Sequence, residues 1–191
     1  MFSRLQNINN KRDPKVQEAM MTEARTHLKF CMDLYKIQMD NGMYFLHEHP
    51  WSASSWDEDY VKQMVEREGV YVVRGDMCQF GMFQETQFGD RLVMKPTGFM
   101  TNACGIAEEL GRQCPRDHSH VHLVNGRAKR AEVYPDELCY GILNGLVKTM
   151  EKDGRLQPGH VGSALCEDEF LAFDDNPGQP LDQSMVREAR A

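Results

Sequence analysis

Asn41-Gly42-Met43-Tyr44-Phe45-Leu46-His47-Glu48-His49-Pro50 is the stretch on which the fold turns. Glycine after a long helical pattern is the usual left-handed cap, so Asn41-Gly42 ends a helix. Met43 to Leu46 is an unbroken apolar run, the mark of a strand covered on both faces. His47-Glu48-His49-Pro50 then falls at the C-terminal end of that strand, the edge at which open α/β sheets place their ligands. Upstream, Asp13-Pro14 reads as an N-cap followed by a proline at the first helical position. Val16, Met20, Ala24, Leu28, Cys31 and Tyr35 then recur at spacings of three and four, which makes one apolar stripe on a long helix. Helix, turn and strand in this order predict an α/β unit.

The rest of the chain alternates in the same way. Asp57 to Glu68 is a second helical pattern, broken at Gly69, and Val70 to Val73 is the next strand, leading into Arg74-Gly75-Asp76-Met77-Cys78. Residues 84–90 are polar and contain glycine, so they read as a hairpin loop. Leu92 to Met94 predicts a strand and Ile106 to Leu110 a short helix. Residues 114–130 lack periodicity and read as an irregular loop. Pro135 opens a further helix carrying Leu138, Ile142, Leu146 and Met150, with its end near Asp153-Gly154. From about Arg155 the sequence turns acidic and poorly periodic, with Pro158, Gly159, Gly162 and Pro177. The organisation expected is a domain over 1–154 and a flexible linker or tail over 155–191. Phe170, Leu171 and Phe173 form the one apolar patch in that tail.

Bulk properties exclude several classes. A chain of 191 residues is one domain, or one domain with a tail. A net charge of −7 argues against a protein that coats nucleic acid, because phosphate neutralisation needs clustered Lys and Arg. Arg127-Ala128-Lys129-Arg130 is the one dense basic patch, and it reads first as a solvated turn. No run of apolar residues is long enough for a membrane helix, and the N-terminus has no apolar core of a signal peptide. Six cysteines without regular spacing then read as reduced thiols. The expected location is inside the cell, in cytoplasm or nucleus.

Several short blocks occur in a fixed order. They are Phe2-Ser3 with Leu5-Gln6-Asn7, Phe45-Leu46-His47-Glu48-His49-Pro50, Cys78-Gln79-Phe80-Gly81, Lys95-Pro96-Thr97 with Thr101-Asn102, and Tyr134-Pro135 with Leu138-Cys139. The order resembles the second half of a cytosine-C5 DNA methyltransferase-like domain, in the degenerate form of some phages and retroelement polyproteins. The likeness covers most of residues 1–150. Leu181-Asp182, Val186 and Ala189-Arg190 resemble the lead-in to the reverse transcriptase of Copia-type polyproteins.

The resemblance implies a partial Rossmann-like, methyltransferase-type α/β sheet flanked by helices, with an irregular acidic C-terminal tail. It places the cysteine nucleophile and the glycine-rich turn for S-adenosylmethionine before Met1. The chain by itself is therefore expected to hold no S-adenosylmethionine and to lack the N-terminal half of its domain. Glu48 takes the position of the family's catalytic glutamate, which holds the target cytosine and needs a raised pKa in a closed pocket. His49-Pro50 follows it where the family has Asn-Val, and a strand-end glutamate paired with His47 or His49 is the alternative. Cys78-Gln79-Phe80-Gly81 is similar to the Cys-Gln-Tyr-Gly of the phage-type relatives and lacks the arginines of competent enzymes.

Two further groups are candidates from their chemistry. Lys95, Thr97 and Asn102 put a cation, a hydroxyl and an amide beside a rigid turn, which suits contact with DNA or RNA phosphate or sugar. A turn held by side-chain bonds to backbone is the alternative. Cys114, His118, His120 and His122 are the metal-like cluster, with Cys104 as a possible extra ligand. The spacing is not that of a standard zinc finger, but on a strand the three histidines share one face. A solvated loop is the alternative. Two functions emerge as expectations: an inactive fragment of a retroelement-derived polyprotein, or a nucleic-acid-binding accessory module stabilised by zinc.

Overall fold

A computed structural model of the chain describes residues 2, 13–86, 89–121 and 133–157. The chain divides into two units, Met1–Leu156 and Gln157–Ala191, and every helix and strand described belongs to the first. Ser3, Leu5-Gln6-Asn7, His122, the basic patch at 127–130 and the tail from residue 158 onward lie outside the described residues.

Helix α1 runs over Pro14–Asp40. Its start is as predicted, with Pro14 in the first turn and the Asp13 carboxylate accepting the Lys15 N–H at 2.8 Å. Gly42 comes after it at φ 67°, a left-handed value that favours glycine. The inward stripe buries Leu28 and Met32.

Strand β1 is Leu46–Pro50, so it begins at the last residue of the apolar run that predicts it. The physical reason lies in residues 43–45, whose backbone is held by side chains. Asn102 Oδ1 accepts the Phe45 N–H at 2.9 Å, and Asn102 Nδ2 donates to the Met43 carbonyl at 2.9 Å. The Thr101 hydroxyl donates to the Phe45 carbonyl at 2.6 Å. Residues 47–50 therefore sit within the strand and not beyond its end.

A one-turn 3₁₀ helix at Ser54–Asp57 and helix α2 (Asp59–Val65) lead to β2 (Tyr71–Asp76). A second 3₁₀ turn, Met77–Phe80, succeeds it at once and closes on Gly81 at φ 74°. Strands β3 (Phe83–Thr86) and β4 (Gly89–Leu92) form a hairpin. Strand β5 is Pro96–Thr101, and helices α3 (Cys104–Leu110) and α4 (Asp136–Lys152) complete the unit.

Mixed helix and strand is as expected, but the pairing is not. The main sheet has three strands in the order β1-β5-β2, and both neighbours run antiparallel to β5. No parallel Rossmann-type ladder is present among the described residues. The central strand is the one that the sequence disguises as a turn. Pro96 is tolerated because it opens the strand. Gly98 is required because two indoles cross it: a Cβ there would lie 2.6 Å from Trp56 Cζ2 and 3.2 Å from Trp51 Cε3.

Alternation along β5 divides the core. Phe99 packs with Met77, Phe80, Ile106, Leu110 and Leu138 beneath α3 and α4. Met100 faces the other way, onto Leu28, Met32, Val61 and Met64 from α1 and α2. The sheet is thus covered on both faces by helices. Phe2 belongs to the second cluster, and its carbonyl accepts the Ser54 N–H at 3.1 Å. Helices α3 and α4 touch backbone to backbone, since a Cβ on Gly145 would stand 2.5 Å from Ile106 Cα. Thr149 ties them, its hydroxyl accepting the Gly105 N–H and donating to the Gly145 carbonyl.

Candidate metal centre

Asp76 ends β2 at 1% exposure, and its carboxylate fastens the neighbouring loop in place. Arg74 Nε donates to Oδ1 at 3.0 Å and Nη2 to Oδ2 at 3.2 Å. Oδ2 also accepts the Cys114 N–H at 2.8 Å, and the Asp76 N–H donates to the Arg112 carbonyl at 2.9 Å. The segment that leaves α3 is thereby held against the end of β2. Its far end is held too: Val121 bridges Val93, and the Val121 N–H donates to the Leu92 carbonyl at 2.9 Å. Between these anchors residues 111–120 form neither helix nor strand, as the lack of periodicity predicts.

This loop carries Cys114, His118 and His120 against the 3₁₀ turn that carries Cys78. One ligand atom from each of the four residues lies within 4.8 Å of all the others. Cys114 Sγ is 3.6 Å from His118 Nε2 and 3.4 Å from His120 Nε2. A tetrahedral zinc with Zn–S of about 2.3 Å and Zn–N of about 2.05 Å sets sulfur and nitrogen about 3.6 Å apart. These two separations match sulfur–nitrogen edges of a zinc tetrahedron. Two imidazole nitrogens therefore converge on one sulfur, as two nitrogen ligands do beside a thiolate on a shared zinc.

The surroundings support ligation. His118 Nδ1 meets Asp117 Oδ1 at 2.7 Å, which leaves Nε2 to face the cluster, the usual arrangement behind a metal-bound histidine. The Arg116 N–H donates to Cys114 Sγ at 3.3 Å, as amides do toward thiolates. Without a metal, burial first and the hydrogen bond with Cys114 second push the Cys78 thiol up to about 11. A divalent cation reverses that cost, because it takes the thiolate directly.

Three of the four metal residues expected from the sequence, Cys114, His118 and His120, come together here. His122 is outside the described residues. The fourth member is Cys78, which stands 36 positions before Cys114 (114 − 78) and carries no spacing signal. Cys104 lies elsewhere, beside Lys152 Nζ at 3.5 Å on α3.

The remaining candidates are scattered. Glu48 is half-buried in β1 opposite Phe99 and lies near Tyr134, whose hydroxyl is pushed upward by burial first and by the Glu48 charge second. Lys95 Nζ sits 5.3 Å from the centre of the same Tyr134 ring. Thr97 is 0% exposed, its hydroxyl donating to the Lys95 carbonyl at 3.2 Å. Asn102 uses its side-chain oxygen and nitrogen on the backbone before β1. His47 and His49 face α1 on the opposite side of the sheet from Glu48. His49 Nδ1 bonds the buried Ser55 hydroxyl, and His47 Nδ1 meets the Tyr35 hydroxyl at 3.2 Å. Among the described residues no helix is long and apolar enough to cross a membrane. Comparison with family models, curated proteins and solved structures found no match.

Proposed function

We propose that Cys78, Cys114, His118 and His120 hold one zinc ion, and that the chain works as a zinc-stabilised module and not as a self-sufficient catalyst. The observation that carries this reading is the convergence of four ligand atoms within 4.8 Å from two separate segments. Two sulfurs and two imidazoles suit zinc among the common divalent ions. Four protein ligands fill the tetrahedron and leave no open position for substrate, which makes the role structural. The ion clamps the loop after α3 onto the turn after β2, a junction otherwise held by Asp76 and Val121.

The order of motif blocks in the sequence supports an accessory role in a polyprotein that handles nucleic acid, with methyltransferase-like ancestry. A basic contact surface built from Lys95, Thr97 and Asn102 has less support, since Thr97 is buried and Asn102 is engaged with backbone.

Metal analysis tests the proposal. Protein purified without chelators and measured by plasma mass spectrometry is expected to carry about one zinc per chain. Cys78→Ser and Cys114→Ser are each expected to lose it. Cobalt exchanged into the wild type should give the visible absorption of a tetrahedral thiolate site. Metal-free protein, or zinc kept by both variants, overturns the reading.

A further inference from the structure

We infer that the same centre is a modification site for peroxide, with Cys114 the residue attacked first and Cys78 its resolving partner. This inference rests on the zinc reading above. The two cysteines differ in access. Cys78 is 5% exposed within the 3₁₀ turn, whereas Cys114 is half-buried on the irregular segment. Both sulfurs belong to the group of ligand atoms that lie within 4.8 Å of one another. A disulfide needs its sulfurs about 2.0 Å apart, so only a short approach separates the dithiol from the bond. That approach falls on the side chain of Cys114, whose segment 111–120 is neither helix nor strand and whose backbone N–H stays on Asp76.

The chemistry balances without another component. The Cys114 thiolate attacks one oxygen of hydrogen peroxide; an S–O bond forms, the O–O bond breaks, and hydroxide leaves to take a proton as water. The Cys78 thiolate then attacks the Cys114 sulfur; the S–S bond forms, the S–O bond breaks, and a second hydroxide leaves as water. Two thiolates lose two electrons in total, and peroxide gains them. Zinc keeps its charge and departs, because a disulfide is a poor ligand and only two imidazoles are left to hold it. The clamp on the loop opens with the metal. Reduction of the disulfide with zinc present restores it.

The experiment treats zinc-loaded protein with hydrogen peroxide and monitors three readouts. A chromophoric chelator reports released zinc, peptide mass mapping reports a Cys78–Cys114 link, and a dimedone-type probe reports sulfenic acid. The expected result is zinc release in proportion to the link, both reversed by a dithiol reductant plus zinc. The two variants, metal-free on the reading above, report the order of attack alone: Cys78→Ser should accumulate the probe on Cys114, while Cys114→Ser leaves Cys78 unlabelled. Cys31, Cys104 and Cys139, which form no disulfide, are internal controls on the same chain. Release without the link, a link without release, or probe on Cys78 in preference to Cys114 overturns the inference. Zinc-loaded protein that resists peroxide defeats this inference alone, whereas protein that never binds zinc defeats the underlying reading. The wild-type link and release decide the matter even where a variant does not fold.

Discussion

Replacing His47 by glutamine should flatten the acid sensitivity of this fold. His47 lies in β1 at 7% exposure, packed against Tyr35 and Trp56, and among the described residues its Nε2 has no hydrogen-bond partner. Burial first and the nearby His49 second lower its pKa from 6.5 to about 4. In the unfolded chain the imidazole takes a proton near its ordinary value; in the folded chain it refuses one until about pH 4. Between those limits the unfolded state binds more protons, so stability falls as pH falls and is unaffected above the unfolded value. Each unit of separation is worth about 1.4 kcal/mol, which makes the full loss about 3 kcal/mol, of which about 2 kcal/mol has gone by pH 5. Urea unfolding of wild type and His47→Gln at about pH 7.5 and about pH 5, both with chelator so that metal loss does not contribute, measures the difference. The wild type should lose about 2 kcal/mol more than the variant over that interval. His49 is shifted in the same direction and its ring lies 5.3 Å from that of His47, so a His49→Gln variant measured alongside separates its share. Equal losses in the two proteins would refute the argument.

Two more outcomes are expected. Gly145→Ala brings a Cβ to 2.5 Å from Ile106 Cα and 2.6 Å from the Gly105 carbonyl, so α3 and α4 must separate. Overpacking of this kind costs about 1–3 kcal/mol, and thermal unfolding should fall by roughly 2–4 °C for each kcal/mol; an unchanged midpoint contradicts the close approach. Asp76→Asn removes the charge that joins Arg74 to the Cys114 backbone, so zinc affinity measured by chelator competition should weaken by about 10-fold or more. Wild-type affinity in that variant would show that Asp76 does not position Cys114.

Local signals were legible where local chemistry decides. Asp13-Pro14 and Gly42 bound α1 because capping acts within a few residues of the backbone groups it satisfies. The period of three and four selects the face that carries Leu28, and Pro135 opens α4 as its missing N–H allows. Cys114, His118 and His120 were visible as a cluster because they share one short loop. The central strand was not legible. Pro96 and Gly98 are breakers in isolation, and only the indoles of Trp51 and Trp56 above Gly98 give the glycine its reason. Strand direction was hidden for the same cause: apolar runs report burial on both faces but not the orientation of the neighbour. Cys78 joins the metal cluster only because β2 delivers it, with Asp76, to the place where α3 releases its loop. The sequence by itself determined where helices begin and which loop gathers imidazoles, since those depend on neighbours along the chain. Tertiary structure decided which strand lies at the centre and which thiol completes the tetrahedron, since both depend on residues that meet only when the sheet closes.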